Sequence, residues 1–209
     1  MEKKVLLFIL FFLISNIGLA QPTTLNSVSL SVYAGDLAII SEKFSDYYGS
    51  KNDFIFGVRV GVPFNKTWTL NTSATYFQKK SKLAAENQLD PVQNSVLWQI
   101  IFNTGIQINL LPNRLVGLSF LAGFSYALID EKRKTANGIT LSKIDGSGNL
   151  GLYGGAIFEL SLGRSPFSIF GDVKYTYCWD PLLVYENSYR EIRFTGGLKI
   201  YLAKRWKKQ

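Results

Sequence analysis

Six charged residues fall on the less apolar side of an alternating, strand-like pattern: Arg59, Glu159, Asp172, Lys174, Arg193 and Lys199. Two carboxylates among four cations suit three kinds of chemistry. They can form a salt-bridge network, a ring that selects ions, or an acid–base pair. The third use is poorly supported. The chain has no histidine, which removes Ser-His-Asp and Cys-His catalysis and the common zinc ligand sets. Its one cysteine, Cys178, excludes a disulfide framework and any multi-cysteine metal centre. No glycine-rich phosphate loop, metal cluster or nucleic-acid motif is present. The expectation is a protein with no catalytic, cofactor or metal residues and no nucleic-acid partner. Two basic runs form a second candidate surface. Lys79, Lys80 and Lys82 cluster in one connection, and Glu131, Lys132, Arg133 and Lys134 in another. They are candidates for lipopolysaccharide phosphates or a partner protein, or are ordinary solvated charge.

The elements that must carry these residues read as strands. Period-two alternation dominates the chain, and helical periodicity is scarce. Eight segments alternate: Ser27–Gly35, Asp53–Val62, Thr67–Lys79, Ser95–Leu110, Arg114–Ile129, Leu150–Leu162, Phe167–Tyr177 and Arg190–Leu202. In the second, Phe54, Phe56, Val58, Val60 and Val62 share one face. In the fifth, Val116, Leu118, Phe120, Ala122, Phe124, Tyr126 and Leu128 do. Short turns are expected at Pro63–Lys66, Leu111–Asn113 and Gly163–Pro166, carrying the Pro, Gly and Asn of tight turns. Longer connections fall at Leu37–Asn52, Lys80–Gln93, Asp130–Gly146 and Asp180–Ser188. Short turns on one side and long loops on the other mark a transmembrane barrel.

The N-terminus reads as an export address. Glu2, Lys3 and Lys4 precede an apolar run from Val5 to Ile14, and small residues Gly18 and Ala20 precede Gln21. Residues 1–20 are expected to be a cleaved signal peptide, leaving one domain over residues 21–209. The run is shorter than the roughly 20 residues a spanning helix needs. The net charge of +8 suits anionic headgroups as well as plain solubility.

An alternating strand fits two opposite objects. A soluble barrel buries its apolar face, whereas a membrane barrel shows that face to lipid. The composition is 47% hydrophobic and only 18% charged, against about 25% charged in soluble domains. The second face is rich in Gly, Ser, Thr, Asn and Gln rather than Lys and Glu, which suits a cramped interior. Aromatics gather at both strand ends: Phe64, Trp68, Phe167 and Tyr201 at one, Phe54, Tyr76, Trp98, Tyr126, Tyr175 and Tyr177 at the other. Two girdles would look like this. The fold class expected is all-β, an eight-stranded antiparallel up-and-down transmembrane β-barrel.

In this pattern the mature chain resembles the small outer-membrane β-barrel proteins, the group of the OmpA transmembrane domain, OmpX and the PorT-like proteins. Thr195, Gly197, Ile200 and Leu202 match the spacing of that group's barrel-assembly signal, followed here by a basic tail through Gln209. The resemblance implies a Gram-negative outer-membrane location and contact with membrane lipid, lipopolysaccharide and the barrel-assembly machinery. It also leaves room for an envelope or host protein at the outer loops. The expected function is a non-enzymatic barrel with a packed polar lumen, acting in envelope structure, adhesion, or as a secretion or assembly accessory. A narrow channel for small solutes and a soluble periplasmic lipid-binding barrel are the alternatives.

Overall fold

The computed structural model describes residues 27–40, 52–81, 92–111, 115–135, 140–142, 148–162, 165–179 and 189–202. The expected signal peptide, the basic tail and Lys82 lie outside the described residues. Eight long strands form the wall: β1 (Ser29–Ile39), β2 (Asn52–Pro63), β3 (Trp68–Ser81), β4 (Val92–Asn109) and β5 (Val116–Thr135). A three-residue strand, β6 (Thr140–Ser142), follows, and then β7 (Gly148–Ser161), β8 (Phe167–Cys178) and β9 (Tyr189–Tyr201).

Each wall strand pairs antiparallel with its sequence neighbour in the wall, and β1 pairs with β9 from Ser29↔Tyr201 to Ile39↔Glu191. The barrel is therefore closed. Closure satisfies the backbone donors and acceptors that an open edge would leave bare, which lipid does not tolerate. The short strand β6 pairs only with the overhanging end of β5, at Lys132–Lys134, and adds no stave to the wall.

The alternation sorts the side chains as their chemistry demands. Leu30, Val32, Phe54, Phe56, Phe120, Phe124, Phe158, Phe194 and Leu198 point outward and are exposed, Phe54 and Phe124 each by 63%. Val60, Val62 and Phe102 share the outward parity but are buried, near a Thr72–Thr104 hydroxyl pair at 3.1 Å. So broad an apolar exterior would be a heavy penalty in water and is a match for hydrocarbon. The soluble lipid-binding alternative fails on this point, because the apolar rows do not line the interior.

Inside, the wall must bend sharply to close on eight strands, and glycine permits it. Gly105 and Gly123 face each other across β4 and β5. A Cβ on Gly123 would lie 2.2 Å from the carbonyl oxygen of Thr104 and 2.4 Å from the Gly105 Cα. Only two glycines let these backbones approach so closely.

The strand ends differ from the sequence reading in a consistent way. β1 runs four residues past Gly35 to Ile39, and β5 runs past Ile129 to Thr135. Beyond Gly35 the inward positions turn apolar at Leu37 and Ile39, so the polar–apolar alternation that marks a strand fades while the hydrogen-bonded ladder continues. At the other end, Asn65 Oδ1 accepts from the backbone N–H groups of Thr67 and Trp68, both at 2.8 Å, closing the β2–β3 turn.

Candidate functional site: the lumen

The lumen is filled in layers. At the short-turn end β3, β4 and β5 contribute amides and hydroxyls. Asn71 donates to Gln107 Oε1 at 2.5 Å, and Gln107 Nε2 donates to Ser119 Oγ at 3.0 Å. Ser119 in turn donates to Asn109 Oδ1 at 2.8 Å. Beside them Glu159 on β7 accepts from Lys199 at 2.7 Å, from Ser168 at 2.6 Å and from the Tyr201 hydroxyl. Tyr201 thus faces the lumen and does not join the girdle the sequence reading placed it in. Its position is in phase with Thr195, Gly197 and Lys199, and that parity turns it inward.

A second layer is built on Asp172 of β8. The Arg59 guanidinium of β2 pairs with its Oδ2, Thr195 donates to Oδ1 at 2.5 Å, and the Lys174 ammonium stands 3.7 Å from Oδ2. Asp172 and Arg59 are both buried, and a buried charge without a partner is very costly. The arrangement spreads that cost over aromatic faces as well. The Arg59 carbon Cζ lies 5.2 Å from the Tyr33 ring centre and 4.9 Å from that of Phe170. Lys174 stands 5.5 Å from the same Tyr33 ring. Desolvated cation–π contacts of this kind are worth about 2 kcal/mol.

Tyr33 links this layer to the next. Its hydroxyl hydrogen-bonds Thr75 Oγ1 at 2.7 Å, and Arg193 donates to the same oxygen at 3.1 Å. Arg193 also donates to Thr176 at 2.8 Å, and its Nε lies 2.9 Å from Glu191 Oε1. Towards the long-loop end the character changes. Leu37, Ile39, Ile55, Phe77, Leu97, Ile101, Ala127, Ile129 and Cys178 form one apolar cluster, each at most 2% exposed. The interior is therefore not the uniformly polar filling expected. Its outer part is largely apolar, with Gln99, Asn149 and Glu191 buried beside these residues.

All six sequence-predicted charges face inward, but they do not make one network. Arg59, Asp172 and Lys174 form one group, Glu159 and Lys199 a second, and Arg193 belongs to Glu191. The sequence reading missed Glu191, although it lies two residues from Arg193 and so shares its face. It also placed Lys79 in a loop cluster. Lys79 is on β3, buried and inward, 2.6 Å from Asp53. Glu131, Lys132, Arg133 and Lys134 lie on the extended end of β5 rather than in a loop. Cys178 is a fully buried free thiol in the apolar layer.

Of the assembly-signal positions, Thr195 and Gly197 face the lumen, while Ile200 and Leu202 have the outward parity. A Cβ on Gly197 would lie 2.1 Å from the Val32 carbonyl oxygen on the paired strand β1. Among the described residues no group of three or more His, Cys, Asp and Glu is placed to hold a metal ion.

No protein-family model and no curated protein matches this chain. Solved structures do. Neisserial surface protein A shares 14% identity with a TM-score of 0.53, over 83% of this chain and 96% of that one. The outer membrane protein OprG from Pseudomonas aeruginosa shares 13% identity with a TM-score of 0.50, over 86% and 98%. At such identities the likeness is one of fold. The chain has the fold of the small eight-stranded outer-membrane β-barrels: all-antiparallel, closed, apolar outside and filled within.

Proposed function

We propose that this protein is a non-enzymatic barrel of a Gram-negative outer membrane, with a lumen that acts as a strut and not as a conduit. Residues 1–20 act as the cleaved export signal. Thr195, Gly197, Ile200 and Leu202 are the positions read by the barrel-assembly machinery. Arg59 ties β2 to Asp172 on β8, Lys199 ties β9 to Glu159 on β7, and Arg193 on β9 reaches Thr75 on β3, while Lys174 and Glu191 stand beside opposite charges on their own strands. The role for the cell is to carry outer segments on a rigid stave wall, in envelope structure, adhesion, or secretion or assembly support.

The observation that carries this reading is the stacking of an apolar layer directly on a charge-paired one. An ion crossing the lumen would have to break the Arg59–Asp172 pair and then pass a tightly packed, largely apolar layer in which Leu37, Ile55 and Phe77 are each at most 1% exposed. The lack of histidine supports a non-enzymatic role, since it removes the side chain most often used as a general acid–base group.

Two measurements test the proposal together. The protein should fractionate with outer membranes and migrate differently on gels before and after heating. Release by osmotic shock would sink the membrane assignment. Reconstituted in planar bilayers, it should show no stable conductance. A steady conductance that disappears in Arg59→Ala or Asp172→Ala would replace the strut with a channel.

A further inference from the structure

The residues that β1 gains beyond Gly35 put a carboxylate on the lipid-facing wall. Asp36 is in phase with the outward Leu30, Val32 and Ala34, and it is exposed. Its cross-strand neighbours are Phe54 on β2 and Phe194 on β9, themselves 63% and 57% exposed. Ile40, two outward positions nearer the long loops, is still an exposed apolar side chain, so Asp36 sits within the apolar belt. It has no ion-pair partner among the described residues. A charge facing hydrocarbon is costly, and an ionisable side chain in that position marks a contact that supplies its counter-charge.

The adjoining strand carries an outward cation. Arg190 on β9 is exposed, lies 5.5 Å from the centre of the Tyr177 ring, and has no carboxylate partner among the described residues. Within one chain the two charges are too far apart to pair. Arg190 is four residues beyond Phe194, the neighbour of Asp36, which separates the two backbones by about 14 Å. Their heights differ less. The row of neighbours that leaves Asp36 through β9, β8, β7, β5 and β4 ends at Trp68, beside the β2–β3 turn, so it falls toward the short turns. With strands tilted about 40°, Arg190 stands roughly 7 Å above Asp36. One row below Asp36 the wall is bare. Ala34, Gly196 and Gly171 lie side by side between Phe56 and Phe158. A Cβ on Gly196 would meet only the Phe170 carbonyl oxygen, 3.7 Å away.

We propose that the β1–β9 face is the contact of a parallel, two-fold homodimer within the membrane, in which each Asp36 pairs with Arg190 of the partner subunit. The inference goes beyond the outer-membrane reading above and rests on it. A two-fold axis along the membrane normal, between β1 and β9, sets β1 of one copy against β9 of the other. The offset in height is then one that an extended arginine bridges, and it is bridged twice. The bare row lets the two walls approach closely, as small residues do between membrane-spanning helices. The charges select the occupant. Opposite signs on adjoining strands complement their own image under the two-fold axis. A lipid phosphate would satisfy Arg190 and leave Asp36 facing acyl chains.

The test uses the full chain in a density-matched detergent, read by sedimentation equilibrium. The unaltered chain should be a monomer–dimer mixture, and Asp36→Asn should weaken its association about tenfold. Gly196→Leu, which fills the bare row without meeting the wall, should weaken it similarly. Charge reversal is the sharper arm. Asp36→Arg alone and Arg190→Asp alone should each be monomeric. Mixed in equal amounts they should pair, because each contact again sets an acid against a base. Native mass spectrometry with one of the two chains isotopically labelled separates mixed pairs from like pairs. A monomeric unaltered chain, a dimer indifferent to Asp36→Asn, or folded reversed chains that fail to pair when mixed overturns the proposal. If a reversed chain does not fold, Asp36→Asn and Gly196→Leu decide alone. Heat-shifted gel mobility keeps the two readings apart. A chain that never shows it in membranes defeats the outer-membrane reading, whereas a chain that shows it and stays monomeric defeats this one.

Discussion

Asp172 anchors one layer of the interior, because two cations and a hydroxyl depend on it. Replacing it by Asn keeps the shape and removes the charge, leaving Arg59 and Lys174 buried with no carboxylate in their layer. The expected cost of Asp172→Asn is about 3–5 kcal/mol, read as a lower temperature for loss of the heat-shifted gel form. Adding Arg59→Met to Asp172→Asn should recover part of that loss, since it removes one of the stranded charges. No recovery in the double variant would mean that the pair does not share the strain. Much of this layer was legible in the sequence, because parity alone turns Arg59, Asp172, Lys174 and Arg193 to one side. The pairings were not legible. Which carboxylate meets which cation depends on the stagger of strands far apart in sequence, and that stagger placed Arg59 beside Asp172 and Lys199 beside Glu159. Tyr33 shows the same limit. An aromatic on a serine-rich face is visible in the sequence, but not that two cations would stand against it.

At the scale of the strand, the glycines divide by the direction they face. Inward Gly123 meets backbone within 2.4 Å if given a Cβ, whereas outward Gly171 would meet only the Thr195 carbonyl oxygen at 3.8 Å. Gly123→Ala should therefore cost about 1–3 kcal/mol, by forcing β4 and β5 apart. Gly171→Ala should change stability by no more than about 0.5 kcal/mol. Thermal scans of the two variants in the same detergent check the contrast, and equal losses would contradict it. Sequence periodicity located all eight wall strands, because both faces of most strands carry their own chemistry. It lost the outer ends of β1 and β5, where inward residues become apolar or charge runs begin. The three residues of β6 are too few for any period to show.

The whole molecule is a closed stave wall around a filled interior, and closure makes it one cooperative object. The ladder is complete only where β1 pairs with β9, so the wall closes at the seam between the first and last strands. The closed eight-stranded plan was readable from alternating loop lengths and the packed lumen from its small polar face, whereas the apolar cluster near the long-loop end was not, because Leu37 and Ile39 break the polar parity that marks the inside. The buried thiol then acquires a use. Cys178 is the chain's sole sulfur nucleophile, and it is sealed at 0% exposure within the apolar layer. A maleimide added during refolding should label the chain only until the wall seals. The unlabelled fraction, followed against time of addition, then becomes a stopwatch for barrel closure, with the thiol as its single hand. If the native barrel takes up label as fast as the urea-unfolded chain, the layer around Cys178 does not seal.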